Sequence, residues 1–205
     1  DGLGMQVVGA GRAPETDSTC LWWMQDFTRI SQNGLKGRFV FWPEYNLDLL
    51  LAGVQGADLW IVTPKPGREA CGTSDRDAAH NGIPSVATYT GGMKEWMEEY
   101  NPHARRGNGF ILEPYDKRTL YDKFSKFSRM WYAWKEHGDV AYPQVCANAL
   151  AASPLWVSRL AEHSAYRLKR LCRLCIRFGL RAEGRGLSTA YITRSLSMIH
   201  TMRRH

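Results

Sequence analysis

No stretch of the 205-residue sequence approaches the run of about eighteen apolar residues that a membrane-spanning helix needs, so a helical membrane protein is excluded on the sequence. The start, DGLGMQVVGAG, lacks both the basic opening and the long apolar run of a signal peptide. Cysteine is sparse: the five, at positions 20, 71, 146, 172 and 175, are too scattered for a disulfide framework and predict an intracellular, reducing compartment with no organelle indicated. Internal repeats and low-complexity runs are missing. Acidic residues all but vanish from the C-terminal fifth. From Ala165 to His205 ten Lys/Arg stand against Glu183 alone, a net of +9. Subtracting that from the chain's +7 leaves residues 1–164 at −2. The body is nearly neutral, and any attraction to acidic partners belongs to the tail.

What is present suits one ordinary domain with an appendage, since 44% hydrophobic residues are enough for a core. MQVVGAG (5–11), RFVFWP (38–43), ADLWIVTP (57–64), PSVATY (84–89) and GFILEP (109–114) are continuous apolar runs, the pattern of strands covered on both faces. Helical stretches alternate with them. TDSTCLWWMQDFTRISQ has Thr16 or Asp17 as cap, and NLDLLLAGVQG has Asn46 as cap and Gly56 as stop. A short helix is expected within 73–81, and another over GGMKEWMEEYN. Strand and helix in alternation predict an α/β, doubly wound, mostly parallel sheet. From Asp116 the pattern turns helical, with Leu120, Phe124, Phe127, Met130, Trp131 and Trp134 in one apolar stripe, and a further helix is expected from Pro154. Residues 1–164 are read as the α/β domain and 165–205 as a basic, partly helical extension.

Ligands of open α/β sheets bind outside the carboxyl ends of the strands. ADLWIVTP delivers the chain to that edge, where Glu69 lies on a loop and Gly72 and Thr73 open the next helix. Backbone amides there suit a phosphate, and a carboxylate suits sugar hydroxyls. The bland alternative is a solvated acid, or a partner for Arg68, among glycines that only permit turns.

VQGADLWIVTPKPGREACGTS (54–74) resembles the α-glucan phosphorylases, in which an apolar strand leads through a Pro-rich loop to Glu-Ala-Ser-Gly-Thr. GIPSVATYTGG and GNGFILEP resemble the glycogen and starch synthases and other retaining glycosyltransferases built from two Rossmann domains, and MQVVGAGRAPETD and RFVFWPEYNLDLLLAGVQGADLW fall in the same order. The likeness runs from about Met5 to about Lys169. It implies the donor-binding, C-terminal half of such an enzyme: Glu69 holding glucosyl hydroxyls, and Cys71, Gly72 and Thr73 lining the sugar or phosphate site. With seven residues intervening after that glutamate, phosphorylases place the lysine that binds pyridoxal phosphate, and nucleotide-sugar transferases place a glutamate for the ribose. Here that position is Asp77. A carboxylate cannot form the Schiff base, so no pyridoxal cofactor is expected. Aspartate can accept hydrogen bonds from a ribose diol. The family's Arg and Lys that neutralise donor phosphates have no match in this sequence; Arg12, Lys65 and Arg68 are the nearby cations that could replace them.

Two functions follow. One is a retaining hexosyltransferase domain that binds a sugar phosphate or nucleotide sugar and is a poor catalyst as this chain alone. The other is an inactive, glycosyltransferase-like structural subunit held in a larger protein or ribonucleoprotein assembly by its tail. His80 lacks a triad partner, and Cys172-x-x-Cys175 lacks a second pair of ligands, so neither a triad nor a metal site is expected. Trp22, Trp23, Trp131 and Trp134 fall on helical faces, for core packing or a protein partner. The alternating Arg and Leu of RLKRLCRLCIRF form a basic amphipathic pattern that docks on a protein first, and otherwise on RNA or an anionic surface.

Overall fold

The computed structural model describes residues 2–69 and 72–152. Five parallel strands alternate with helices. The strands are β1 (Val7–Ala10), β2 (Phe39–Trp42), β3 (Trp60–Val62), β4 (Ser85–Thr88) and β5 (Phe110–Leu112). The helices are α1 (Ser18–Gln32), α2 (Leu47–Gly56), α3 (Ser74–His80), α4 (Lys117–His137) and α5 (Ala141–Ala152). All five expected apolar runs contain a strand, and the α/β class holds.

The caps expected at Asp17 and Asn46 are present, and the structure adds caps at both ends of α4. The Asp17 carboxylate accepts the Cys20 N–H at 2.9 Å, Asn46 Oδ1 accepts the Leu49 N–H at 2.8 Å, and Asp116 Oδ1 accepts the Thr119 N–H at 2.8 Å. α4 stops at Gly138, whose φ of 71° suits glycine and whose N–H returns to the Trp134 carbonyl at 3.0 Å.

The strands form two separate sheets, β1-β2 and β3-β4-β5. Val7 pairs with Phe39 in the first; Trp60 pairs with Ser85, and Val86 with Phe110, in the second. β4 is central in its sheet, and all four of its residues are buried. On one face Val86 and Phe110 meet Phe127 and Met130 of α4 and Tyr142, Val145 and Cys146 of α5. On the other, Ala87 packs with Met93 and Met97, flanked by Val62 and Ile111. The α4 stripe is the expected one, with Leu120, Phe124, Trp131 and Trp134 packed against this core.

Three expectations change. β1 and β2 are not covered on both faces: their residues alternate between half-buried and exposed, because α1 packs through Phe27 on the face of Phe39 and Phe41 and no described helix packs on the other. Trp22 and Trp23 are not core residues, for α1 has no buried side chain. GGMKEWMEEYN forms only a 3-10 turn over Gly91–Glu95 instead of a full helix. Its later amides are taken by tertiary partners. The Glu98 N–H goes to Asn108 Oδ1, the Tyr100 N–H to the Gly109 carbonyl and the Asn101 N–H to the Arg106 carbonyl. Long-range bonding there outweighs helix propensity.

Among the described residues no helix is long and apolar enough to cross a membrane. The expected helix from Pro154, the Cys172 and Cys175 pair and the basic extension 165–205 lie outside the described residues, as does Cys71.

Candidate functional site

β3 and β4 end side by side at the carboxyl edge of their sheet, and the loops that leave them are tied together. The β3 loop turns at Lys65–Arg68, where the Arg68 N–H meets the Lys65 carbonyl at 3.0 Å and Gly67 adopts a φ of 75°. From that turn the Gly67 N–H donates to Thr90 Oγ1 at 3.1 Å, joining it to the loop after β4. The Tyr115 hydroxyl donates to the Thr63 carbonyl at 3.2 Å and fixes the strand's exit from a third side.

Between these loops lies a small cleft, partly open to solvent. Its lining combines the apolar side chains of Val62, Pro64 and Met93 with Glu69, Thr90 and the backbone of Gly72, Gly91 and Gly92. Gly72 has a steric reason to be glycine. A Cβ added there would collide with Oε1 of the half-buried Glu69, whose carboxylate lies over the glycine. The same Cβ would be 4.0 Å from Asp75 Oδ1, so two carboxylates flank one glycine.

Asp75 is only 1% exposed, and its Oδ1 has no hydrogen-bond partner. Burial pushes its carboxyl above the ordinary range, against the opposing pull of backbone amides at Asp75 and Arg76 and the Arg76 charge. The Trp96 indole N–H favours the carboxylate but falls short of hydrogen-bond geometry. Arg76 is itself buried, 3.8 Å from the exposed Glu95 carboxylate.

Of the residues singled out in the sequence, Glu69 and Gly72 line the cleft. Thr73 is exposed at the start of α3, and its carbonyl accepts the N–H groups of Arg76 and Asp77, both at 3.0 Å. Asp77 is half-buried on α3; its carbonyl accepts Asn81 Nδ2 at 2.8 Å, and it is not among the cleft-lining residues. Lys65 and Arg68 are exposed on the β3 loop, and Arg12 is exposed just beyond β1; none of the three lines the cleft. The sequence reading did not single out Thr90, took Gly91 and Gly92 as turn glycines, and passed over Asp75, which is buried near Gly72 without lining the cleft. Thr90-Gly91-Gly92 carried a usable signal, for it leaves β4 at the edge to which Glu69 was assigned. Asp75 carried none, because Ser-Asp-Arg-Asp has the composition of a solvated helix start.

No protein-family model matches the chain. Glycogen synthase of Thermotoga petrophila is 26% identical over 132 residues, covering 64% of this chain and 26% of that protein. Glycogen synthase of Kosmotoga olearia is 27% identical over 120 residues, 58% of this chain and 24% of that one. The chain therefore spans about a quarter of the length of the curated relatives it matches. Its fold is similar to that of the catalytic domain of starch synthase IV from Arabidopsis thaliana, solved with ADP and acarbose, at a TM-score of 0.55 and 15% identity over 84% of this chain and 40% of that one. The chain is thus similar in sequence to a part of the glycogen synthases, and its Rossmann-like α/β fold is similar to that of a starch synthase catalytic domain.

Proposed function

We propose that the cleft holds the glucosyl unit of a nucleotide-sugar or sugar-phosphate donor, as the donor side of a retaining hexosyl transfer. The carrying observation is the Glu69 carboxylate, laid over Gly72 at the carboxyl edge and facing Thr90-Gly91-Gly92. An ionised carboxylate accepts hydrogen bonds from vicinal hydroxyls, and the apolar lining of Val62, Pro64 and Met93 suits a sugar's C–H face. The glycogen synthase relatives support this class of substrate. Asp77 stands where a lysine would be needed for a pyridoxal Schiff base, which favours the nucleotide-sugar form.

In this reading Glu69 orients the ring, and Gly72 leaves room for that carboxylate. Lys65 and Arg68, on the same loop, are the cations available to a donor's phosphates. Titration calorimetry with ADP-glucose, UDP-glucose and glucose 1-phosphate tests the proposal. Binding of at least one, weakened by Glu69→Gln, is expected. Failure of the intact protein to bind any of the three would overturn it and leave the structural-subunit reading.

A further inference from the structure

Half of the six asparagines in the sequence stand directly before glycine: Asn33-Gly34, Asn81-Gly82 and Asn108-Gly109. That dipeptide carries a chemistry of its own. The glycine backbone nitrogen can attack the side-chain amide carbon of the asparagine, because no Cβ on the glycine restricts the approach. The attack needs two freedoms: a side chain able to swing over its own backbone, and a glycine N–H that no acceptor holds.

The fold removes both freedoms from two of the three pairs. Asn81 is 4% exposed, its Nδ2 donates to the Asp77 carbonyl at 2.8 Å, and the Gly82 N–H donates to the Ala79 carbonyl at 2.8 Å. Asn108 is also 4% exposed, and both ends of its amide are held. Its Nδ2 donates to the Trp96 carbonyl at 2.7 Å and its Oδ1 accepts the Glu98 N–H at 2.9 Å, while the Gly109 N–H donates to the Glu98 carbonyl at 3.3 Å. Reaction at either place requires the local structure to open first.

Asn33-Gly34 keeps both freedoms. The two residues are exposed, in the turn that joins α1 to β2. One surface bond holds the Asn33 side chain, from Nδ2 to the Arg29 carbonyl at 3.0 Å, and that carbonyl already accepts the Asn33 N–H at 3.1 Å. The Gly34 N–H has no partner among the described residues. Beyond the neighbouring residues of the chain, nothing lies within 4 Å of where a Gly34 Cβ would stand.

We propose that Asn33 is a site of spontaneous deamidation, and that the fold protects Asn81 and Asn108 from the same reaction. The Gly34 nitrogen bonds to Asn33 Cγ and gives up its proton, and Nδ2 leaves with that proton as ammonia. The product is a cyclic imide. Water then adds at one of the two imide carbonyls and breaks its bond to the Gly34 nitrogen, leaving aspartate from the Cγ side or isoaspartate from the main-chain side. One water enters, one ammonia leaves, and nothing is oxidised or reduced.

Either product sets a carboxylate at the C-terminal end of α1, where the helix dipole disfavours negative charge, and takes the Nδ2 donor from the Arg29 carbonyl. Isoaspartate also adds a main-chain atom to the connection. Just beyond it the Arg38 and Phe39 N–H groups both bond the Leu35 carbonyl and set the start of β2. The α1–β2 turn is therefore where the folded chain ages.

Peptide mapping by mass spectrometry tests this on the 205-residue protein, stored folded at neutral pH and, in parallel, in urea. All three pairs should react in urea. In the folded sample the Asn33 peptide should gain the mass difference between an amide and an acid at least about tenfold faster than the Asn81 and Asn108 peptides. It should also split into aspartyl and isoaspartyl forms. Gly34→Ala, whose methyl meets nothing within 4 Å, should slow the Asn33 reaction toward the rate of the protected pairs without lowering Tm. An Asn33 that stays intact in the folded sample overturns the proposal. So does equal reaction at all three pairs, or an Asn33 rate unchanged in Gly34→Ala.

Discussion

Replacing Gly72 with alanine separates the role of the Glu69 carboxylate from the stability of the loop. An alanine methyl at Gly72 meets Glu69 Oε1, the tip of a flexible side chain, while Asp75 Oδ1 stays at an ordinary contact distance of 4.0 Å. Glu69 must therefore swing off the glycine and out of the cleft. A hydrogen bond to a charged group contributes about 1.5–3 kcal/mol. At about 1.4 kcal/mol per decade, losing one such bond to a sugar hydroxyl weakens binding about 10- to 150-fold. Calorimetry with the best-bound donor reads the affinity, and thermal melting reads the fold. Gly72→Ala and Glu69→Gln should weaken binding to similar degrees, with little change in Tm for either. Undiminished donor affinity in Gly72→Ala beside a clear loss in Glu69→Gln would refute the steric reasoning.

Three further predictions concern the frame around the cleft. Burial raises the Asp75 carboxyl above its ordinary 3.8, so the folded state holds that proton more tightly than the unfolded chain; its favourable contribution is full below 3.8 and is lost as pH rises through the raised value. Asp75→Asn should therefore be more stable than the parent at neutral pH, with the difference disappearing in melts below pH 3.8. Tyr142, almost fully buried, donates its hydroxyl to Asp58 Oδ1 at 2.9 Å, so Tyr142→Phe should cost about 1.5–3 kcal/mol in urea denaturation. Gly107 has a φ of 88°, and a Cβ there would strike the Glu99 carbonyl, so Gly107→Ala should lower stability by about 1–3 kcal/mol or more and free the 99–109 bridge to exchange.

Elements whose determinants are local were legible from the chain alone. Of the caps read from the sequence, Asn46 and, from the pair Thr16 and Asp17, Asp17 cap their helices, because a cap needs only a side chain three residues from the amide it accepts. The five apolar runs became strands, and the stripe from Leu120 to Trp134 became the inward face of α4. Glu69 and Gly72 were also within reach, since a carboxylate and a glycine just past a strand belong to the binding edge of such a sheet. The 91–101 segment was misread as a helix because nothing local revealed that Asn108, Gly109 and Arg106 would take its amides.

The sequence by itself determined the alternation of strand and helix, the helix caps, and the presence of a carboxylate at a strand's carboxyl edge. These depend on periodicity and on contacts a few residues long. Tertiary structure alone decided that Thr90-Gly91-Gly92 would face Glu69 and that Lys65, Arg68 and Arg12 would stand outside the cleft. It also decided that an aspartate in a charged helix start would be buried, and that, among the described residues, β1 and β3 would each have a strand neighbour on one side only. Those outcomes depend on which strands become neighbours, and strand neighbours are chosen by packing across the whole chain.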